Sequence, residues 1–276
     1  MADDGRMLAD VVDDLRCPVC TGPLALRDRD LRCAAGHAFD IARQGYANLL
    51  PGSARPGTAD TPGMVTARAE FLGAGHYAAL TDALAVRLAG ARRVLDAGAG
   101  TGHYLAAVLS GDATGIALDV SKYAARRAAR AHPRAGAVVA DLWRPLPVRD
   151  ASMDAVLNVF APRNAAEFRR VLRPDGALHT VTPGPGHLAP LIADLGLLSV
   201  DADKTARTDA RLAGHFTLDA RTTLQAAARL THAEIATLVG MGPNAHHIDA
   251  DELRRRVAKL TDPYEVPLAF VLSVHR

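Results

Sequence analysis

Val94-Leu95-Asp96-Ala97-Gly98-Ala99-Gly100-Thr101-Gly102 constrains this chain more than any other stretch. An apolar run leads into three glycines at every second position, with an acid just ahead of the first. Such a sequence reads as a buried strand that turns tightly into a helix. A dinucleotide fingerprint would space its glycines Gly-x-Gly-x-x-Gly and seat a pyrophosphate on the helix N-terminus. Here a carboxylate stands at the turn, where it repels a pyrophosphate and favours a cation such as the α-ammonium of an amino-acid moiety. The pattern predicts an S-adenosylmethionine site in preference to a nicotinamide site, with Asp96, Gly98 and Gly100 against the cofactor.

The surroundings extend that reading. Short apolar runs at 93–98, 115–120, 137–142, 154–160 and 176–183 alternate with helical patterns at 102–110, 121–131 and 164–173. Runs rich in Val, Leu and Ala without strict alternation suit strands buried on both faces, and strand–helix–strand succession implies a parallel, doubly wound sheet. A helical pattern fills 64–90 and another 187–196. The later runs 222–230 and 265–275 suggest an antiparallel pair at the sheet edge. Ligands of such sheets bind at the carboxyl ends of strands. Asp119 closes the second run, placed to accept from the ribose hydroxyls. Asp141, with Leu142, closes the third, placed to meet the adenine. An acid at a strand end also serves as a plain helix cap, the bland alternative for each.

The N-terminus carries a second motif. Cys17-x2-Cys20-x12-Cys33-x3-His37 gathers all three cysteines of the chain, and two short knuckles can close a tetrahedron on one ion. Three thiolates and an imidazole suit zinc, and four protein ligands leave no open position, so the site is structural. An odd cysteine count in one short segment argues against a disulfide framework. So small a module is expected to take most of its folding free energy from the metal. Domains follow: a zinc module at 1–50 for RNA docking, a Pro/Gly-rich linker at 51–63, and a methyltransferase domain at 64–276. No apolar run approaches the ~20 residues a membrane span needs, and the acidic start MADDGRMLADVVDD is not a leader, so a cytoplasmic location is expected. With 32 basic against 30 acidic residues, net charge alone neither demands nor excludes a polyanionic partner.

Taken with HAFDIARQGYANLL (37–50), AGHY (74–77), DAGAGTGHYL (96–105), LNVFAPRN (157–164) and TPGPGHL (182–188), the chain resembles the 23S rRNA guanine-N1 methyltransferases, and within them the tylosin-resistance branch. The resemblance implies a Rossmann-like class I methyltransferase with a mostly parallel seven-stranded sheet. It implies zinc on Cys17, Cys20, Cys33 and His37, and cofactor contacts from Tyr77, Tyr104, Leu105 and His187. The implied target is guanine 748 in a hairpin of domain II of 23S rRNA near the peptide exit tunnel, with macrolide resistance as the outcome and a homodimer as one arrangement. Guanine 745 is the alternative within the family. Gly186 departs from the arginine that other branches place before this histidine, and 201–216 matches poorly.

Guanine N1 must lose its proton for transfer to occur. Asn158 and His187 are the candidate catalytic residues, the first to bind the guanine edge, and His103 is a second imidazole near the pocket. Bulk water is the alternative base. A base inside a loop must be flipped out, and Phe160, Trp143 and Tyr46 are the candidates to stack on it, with core the better reading for Trp143. Arginines 126, 127, 130 and 134 on one helix, 169, 170 and 173 on another, and 16, 27, 29, 32 and 43 in the zinc module are the candidate phosphate contacts. Two other functions compete: a small-molecule methyltransferase, which leaves the zinc module without a purpose, and a catalytically silent ribosome-binding protein, which the intact acids and glycine loop argue against.

Overall fold

The structure is a computed structural model, and it describes residues 6–52, 59–198 and 204–276. At the N-terminus, α1 (Arg6–Ala9) leads to a three-stranded antiparallel ribbon of β1 (Leu24–Arg27), β2 (Asp30–Cys33) and β3 (Ala38–Asp40). β4 (Tyr46–Asn48) then leaves the ribbon and joins a larger sheet.

The helical pattern of 64–90 is two helices, α2 (Pro62–Gly73) and α3 (Ala78–Arg87), broken at AGHY. Pro62 at the first turn and the Thr61 hydroxyl, which accepts from Met64 N–H, start α2 inside the expected linker. Residues 53–58 of that linker lie outside the described residues. Then come β5 (Arg93–Ala97), α4 (His103–Val108), β6 (Thr114–Asp119), α5 (Lys122–Ala128), β7 (Ala135–Val139), β8 (Met153–Val159), α6 (Ala165–Val171) and β9 (Leu172–Pro183). The last part holds α7 (Ala189–Leu195), α8 (Lys204–Leu212) within the 201–216 segment that matches the family poorly, β10 (Leu218–Leu230), α9 (His232–Gly240), α10 (Ala250–Val257) and β11 (Tyr264–His275).

Among the described residues the large sheet runs β10-β11-β9-β8-β5-β6-β7-β4. Seven of its strands are those expected, all running one way except β11, which is antiparallel to both of its neighbours, β9 and the edge strand β10. The eighth corrects the count: β4 pairs parallel with β7, Tyr46 opposite Ala137, so the N-terminal segment completes the sheet. Neighbouring residues of one strand serve opposite faces. Val94 and Ala117 pack with Phe71, Leu80, Leu84 and Phe270, whereas Leu95 and Ile116 pack with Leu8, Leu15, Leu31 and Phe168. The second of these clusters contains Cys17 and Cys33, so the zinc module is not coreless. Arg16 reinforces the join by pairing with Asp150 and Glu167. The order reverses between β5 and β8, and that switch point fixes where a ligand sits.

Candidate functional site

Two adjoining cavities open at the carboxyl ends of the strands. The first, about 480 Å3, is lined by Gly98, Ala99, Gly100, Tyr104, Asp119, Asp141, Leu142 and Trp143, with Arg68, Tyr77, Phe160 and Met241 around it. Its floor is the glycine loop. Gly98 sits at φ +88°, and a Cβ there would stand 2.3 Å from that of Ala161, so only a glycine lets the β8–α6 loop close over the turn. The amides of Gly98 and Ala99 both donate to Leu118 O, which locks β5 to β6 at this point.

The three acids have distinct situations. Asp119 accepts from Gly100 N–H and Ser121 N–H, both at 2.8 Å, and lines the cavity with further lone pairs to offer. Burial raises its pKa. Asp141 lies two residues beyond β7, not within a strand, and accepts from Trp143 N–H at 2.9 Å in an Asx turn. Asp96 lies behind the loop, outside the cavity lining, with 1% of its surface exposed and one carboxyl oxygen without a partner. Burial, with the Asp119 carboxylate nearby, pushes its pKa up to about 8, against a backbone hydrogen bond from Leu105. Leu105 itself is fully buried outside the cavity lining and supports Asp96 through that amide. A cleft with the glycine loop beneath and the carboxylates of Asp119 and Asp141 in its lining fits S-adenosylmethionine.

Sequence reasoning missed the roof. Arg68 on α2 pairs with Asp60, donates to Met241 O at 2.8 Å and lies 3.3 Å from where a Gly100 Cβ would stand. Asp60 falls in the stretch read as linker, and its carbonyl also accepts from Ser121 Oγ. No local pattern marks a cavity wall supplied by residues some thirty positions before the glycine loop.

The second cavity, about 690 Å3, shares Tyr77, Phe160, Met241 and Gly242 with the first. His187 faces this one, and meets the cofactor side through Tyr77, whose hydroxyl lies 3.4 Å from its Nε2. Ala269 N–H donates to His187 Nδ1 at 3.2 Å, which puts the proton of the neutral ring on Nε2. Both nitrogens are thereby engaged, so His187 is poorly set to take a proton. Gly186 before it has φ +79°, a conformation that the arginine of other branches would adopt only under strain.

Asn158 is brought to neither cavity wall. It is fully buried and its amide donates to Ala97 O and Pro162 O, both at 2.9 Å, tying β5 to the β8–α6 loop. The expectation that it meets a guanine edge gives way to a positioning role. Trp143 corrects the core reading: it is 63% exposed on the rim of the cofactor cavity. Phe160, at φ +55°, lines both cavities, whereas Tyr46 packs into the core. The arginines also sort. Arg170 pairs with Glu167 and Asp150, Arg173 with Asp154, Arg134 with Asp112, and Arg16 is taken as above. Arg27, Arg29, Arg43, Arg126, Arg127 and Arg130 remain exposed.

The four ligand atoms of Cys17, Cys20, Cys33 and His37 lie within 4.8 Å of one another. Cys17 Sγ and Cys33 Sγ stand 3.6 and 3.3 Å from His37 Nδ1, and Cys20 Sγ stands 3.6 Å from Cys33 Sγ. A zinc tetrahedron has edges of roughly 3.4–3.8 Å, given Zn–S and Zn–N bonds near 2.3 and 2.0 Å, so the donor set fits the ion.

The RlmA N-terminal zinc ribbon matches residues 15–55 and a methyltransferase domain matches 94–176. The chain is 51% identical to the 23S rRNA (guanine(748)-N(1))-methyltransferase of Streptomyces fradiae, over 98% of this chain and 99% of that one. It is 52% identical, with the same coverage, to a Micromonospora griseorubida protein that bears the name of a 23S rRNA (guanine-N(1)-)-methyltransferase. Among solved structures, a chain from the complex of the Trm112 methyltransferase activator of Haloferax volcanii with a methyltransferase shares the fold. Its TM-score is 0.52 at 17% identity, covering 80% of this chain and 98% of that one.

Proposed function

The chain belongs to the 23S rRNA guanine-N1 methyltransferases, and from that premise we propose that it methylates N1 of guanine 748 and so confers tylosin-type macrolide resistance. The target lies in a domain II hairpin, and the reaction takes place in the cytoplasm. The observation that carries the reading is full-length identity of 51% to a relative whose name specifies that nucleotide. The joining of a zinc module to a complete cofactor cleft supports it.

S-adenosylmethionine supplies the methyl group on a sulfonium. When it binds, Asp119 would receive the ribose hydroxyls and Asp141 with Leu142 would hold the adenine, in the cleft that Gly98, Gly100 and Tyr104 line. Asp96 and Leu105 support the loop from behind, and Tyr77 stands between the cleft and the second cavity with His187 beyond it. Cys17, Cys20, Cys33 and His37 hold the structural zinc. Holding the two reactants in line supplies much of the acceleration. No helix of the described residues is long and apolar enough to cross a membrane.

The test is primer extension on domain II RNA after incubation with radiolabelled S-adenosylmethionine. N1 methylation blocks pairing, so the expected stop falls one nucleotide before guanine 748. A stop before guanine 745 moves the target, and no label on RNA from a cofactor-binding protein overturns the reading.

A further inference from the structure

Trp143 is the chain's single tryptophan, and 63% of its surface is exposed at the rim of the cofactor cavity. Its backbone is nonetheless held fast. Trp143 N–H donates to Asp141 Oδ1 at 2.9 Å, Arg144 N–H to Asp141 O at 3.1 Å, and the Asn164 amide to Leu142 O at 2.8 Å. A large ring left in water on a fixed turn has little backbone freedom left to lose when something covers it, which suits a stacking platform. The rest of the loop leads to the zinc module. Arg16 donates to Leu146 O and Pro147 O, at 3.2 and 3.1 Å, and Leu15 pairs with Val148. One short loop therefore joins the cleft to the module, with Trp143 at its cleft end.

The neighbourhood is basic. Arg144 follows Trp143 and is exposed, and exposed Lys122, Tyr123 and Arg126 belong to α5, which follows β6, the strand beside β7. Lys122 Nζ lies 5.3 Å from the centroid of the Tyr123 ring. Aromatic faces interleaved with cations suit single-stranded nucleic acid, whose bases stack while its phosphates are neutralised. Resting on the function proposed above, we infer that Trp143 stacks on the base next to the target guanine in the RNA, and not on the target itself.

A guanine in a hairpin loop reaches the cleft only by leaving its stack, and its departure bares a face of the neighbouring base. An indole at the rim replaces the stacking so lost, and it parks the neighbour while the target enters. The contact tolerates any neighbour, because every base has a π-face. Trp143 is thus a positioning residue, outside the bonds that form and break. The cofactor's adenine is the other ring able to cover the indole. The exposed cations beside Trp143 decide between the two, since a neutral adenine has no use for them and a phosphodiester chain does.

As the sole tryptophan, Trp143 reports on its own surroundings by fluorescence. The full-length zinc-loaded protein is titrated with S-adenosylhomocysteine alone, then with domain II hairpins that are intact or abasic at the nucleotide before or after the target. The intact hairpin is expected to quench the emission, and S-adenosylhomocysteine alone to leave it unquenched. One of the abasic hairpins is expected to lose the quenching together with roughly 10-fold in affinity, the scale of one base stack. Trp143→Ala is expected to bind the intact hairpin about 10-fold more weakly and to ignore that abasic site, and Trp143→Phe to recover most of the loss. Quenching by S-adenosylhomocysteine alone overturns the inference in favour of adenine. An abasic penalty of the same size in wild type and Trp143→Ala overturns it too. The wild-type titrations decide the matter even if a variant fails to fold. A wild type that methylates guanine 748 with its emission unmoved by the hairpin sinks this inference alone. A wild type that methylates no RNA sinks the function on which it rests.

Discussion

Gly98 and Gly111 both have positive φ, at +88° and +54°, yet they answer to different forces. A Cβ at Gly111 meets nothing within 4 Å, whereas one at Gly98 collides with Ala161. Gly111→Ala is therefore expected to cost about 1 kcal/mol of stability and no ligand affinity. Gly98→Ala is expected to lower S-adenosylhomocysteine affinity at least ~10-fold, since the β8–α6 loop must retreat; calorimetric titration of both variants checks the contrast. Asp96 carries a pH signature. Its native pKa is raised to about 8 by burial and Asp119, so the folded state binds its proton more tightly than the unfolded chain. Its contribution to stability is full below about pH 4 and is lost as pH rises through 8. The ligand-free wild type is expected to lose melting temperature across that window more steeply than Asp96→Asn. Equal slopes in a melting series would refute the assignment.

At the scale of elements, Asn158 joins the end of β5 to the loop after β8 by two buried hydrogen bonds. Asn158→Ala strands the carbonyls of Ala97 and Pro162, for an expected loss of about 2–3 kcal/mol in urea denaturation. Cofactor affinity should fall as well, because the loop it holds lines both cavities. The same logic separates the arginines of α6 from those of the turns after β1 and β3. Arg170 is expected to matter for melting temperature, since its partners Glu167 and Asp150 also anchor Arg16 of the zinc module. Exposed Arg29 and Arg43 are expected instead to govern RNA affinity. Replacing either by Ala should reduce the slope of log affinity against log salt by about 1, with no change in melting temperature.

For the whole molecule, the zinc module and the methyltransferase domain are continuous through one apolar cluster and one strand. Chelation is expected to loosen the Cys-bearing knuckles while β4, held by β7, stays in place. RNA binding and methyl transfer should then be lost, with S-adenosylhomocysteine affinity within about 3-fold of the zinc-loaded protein, a small change on the scale of affinities. Loss of cofactor binding on chelation would show instead that the metal stabilises the large sheet itself.

Short-range chemistry determined much of this in the sequence alone. Ligand spacing gathers Cys17, Cys20, Cys33 and His37, because two-residue and three-residue knuckles can close only locally. The glycine loop and the buried runs specify strand, turn and parallel sheet, because glycine permits φ values that other residues resist and two-sided burial demands unbroken apolar runs. Asp119, Asp141 and Leu142 were legible as the termini of those runs. The tertiary structure alone decided what distance in the chain conceals. Asp60 and Arg68 arrive over Gly100 from a segment with no motif, and Asn158 turns inward to two carbonyls that sequence cannot locate. His187 lies beyond Tyr77 because β11 supplies the amide that fixes its ring. Trp143 is exposed because β7 ends early and the chain turns outward at Asp141. Burial and hydrogen-bond partnership depend on which elements the fold brings together, and a one-dimensional pattern records only the residues able to take part.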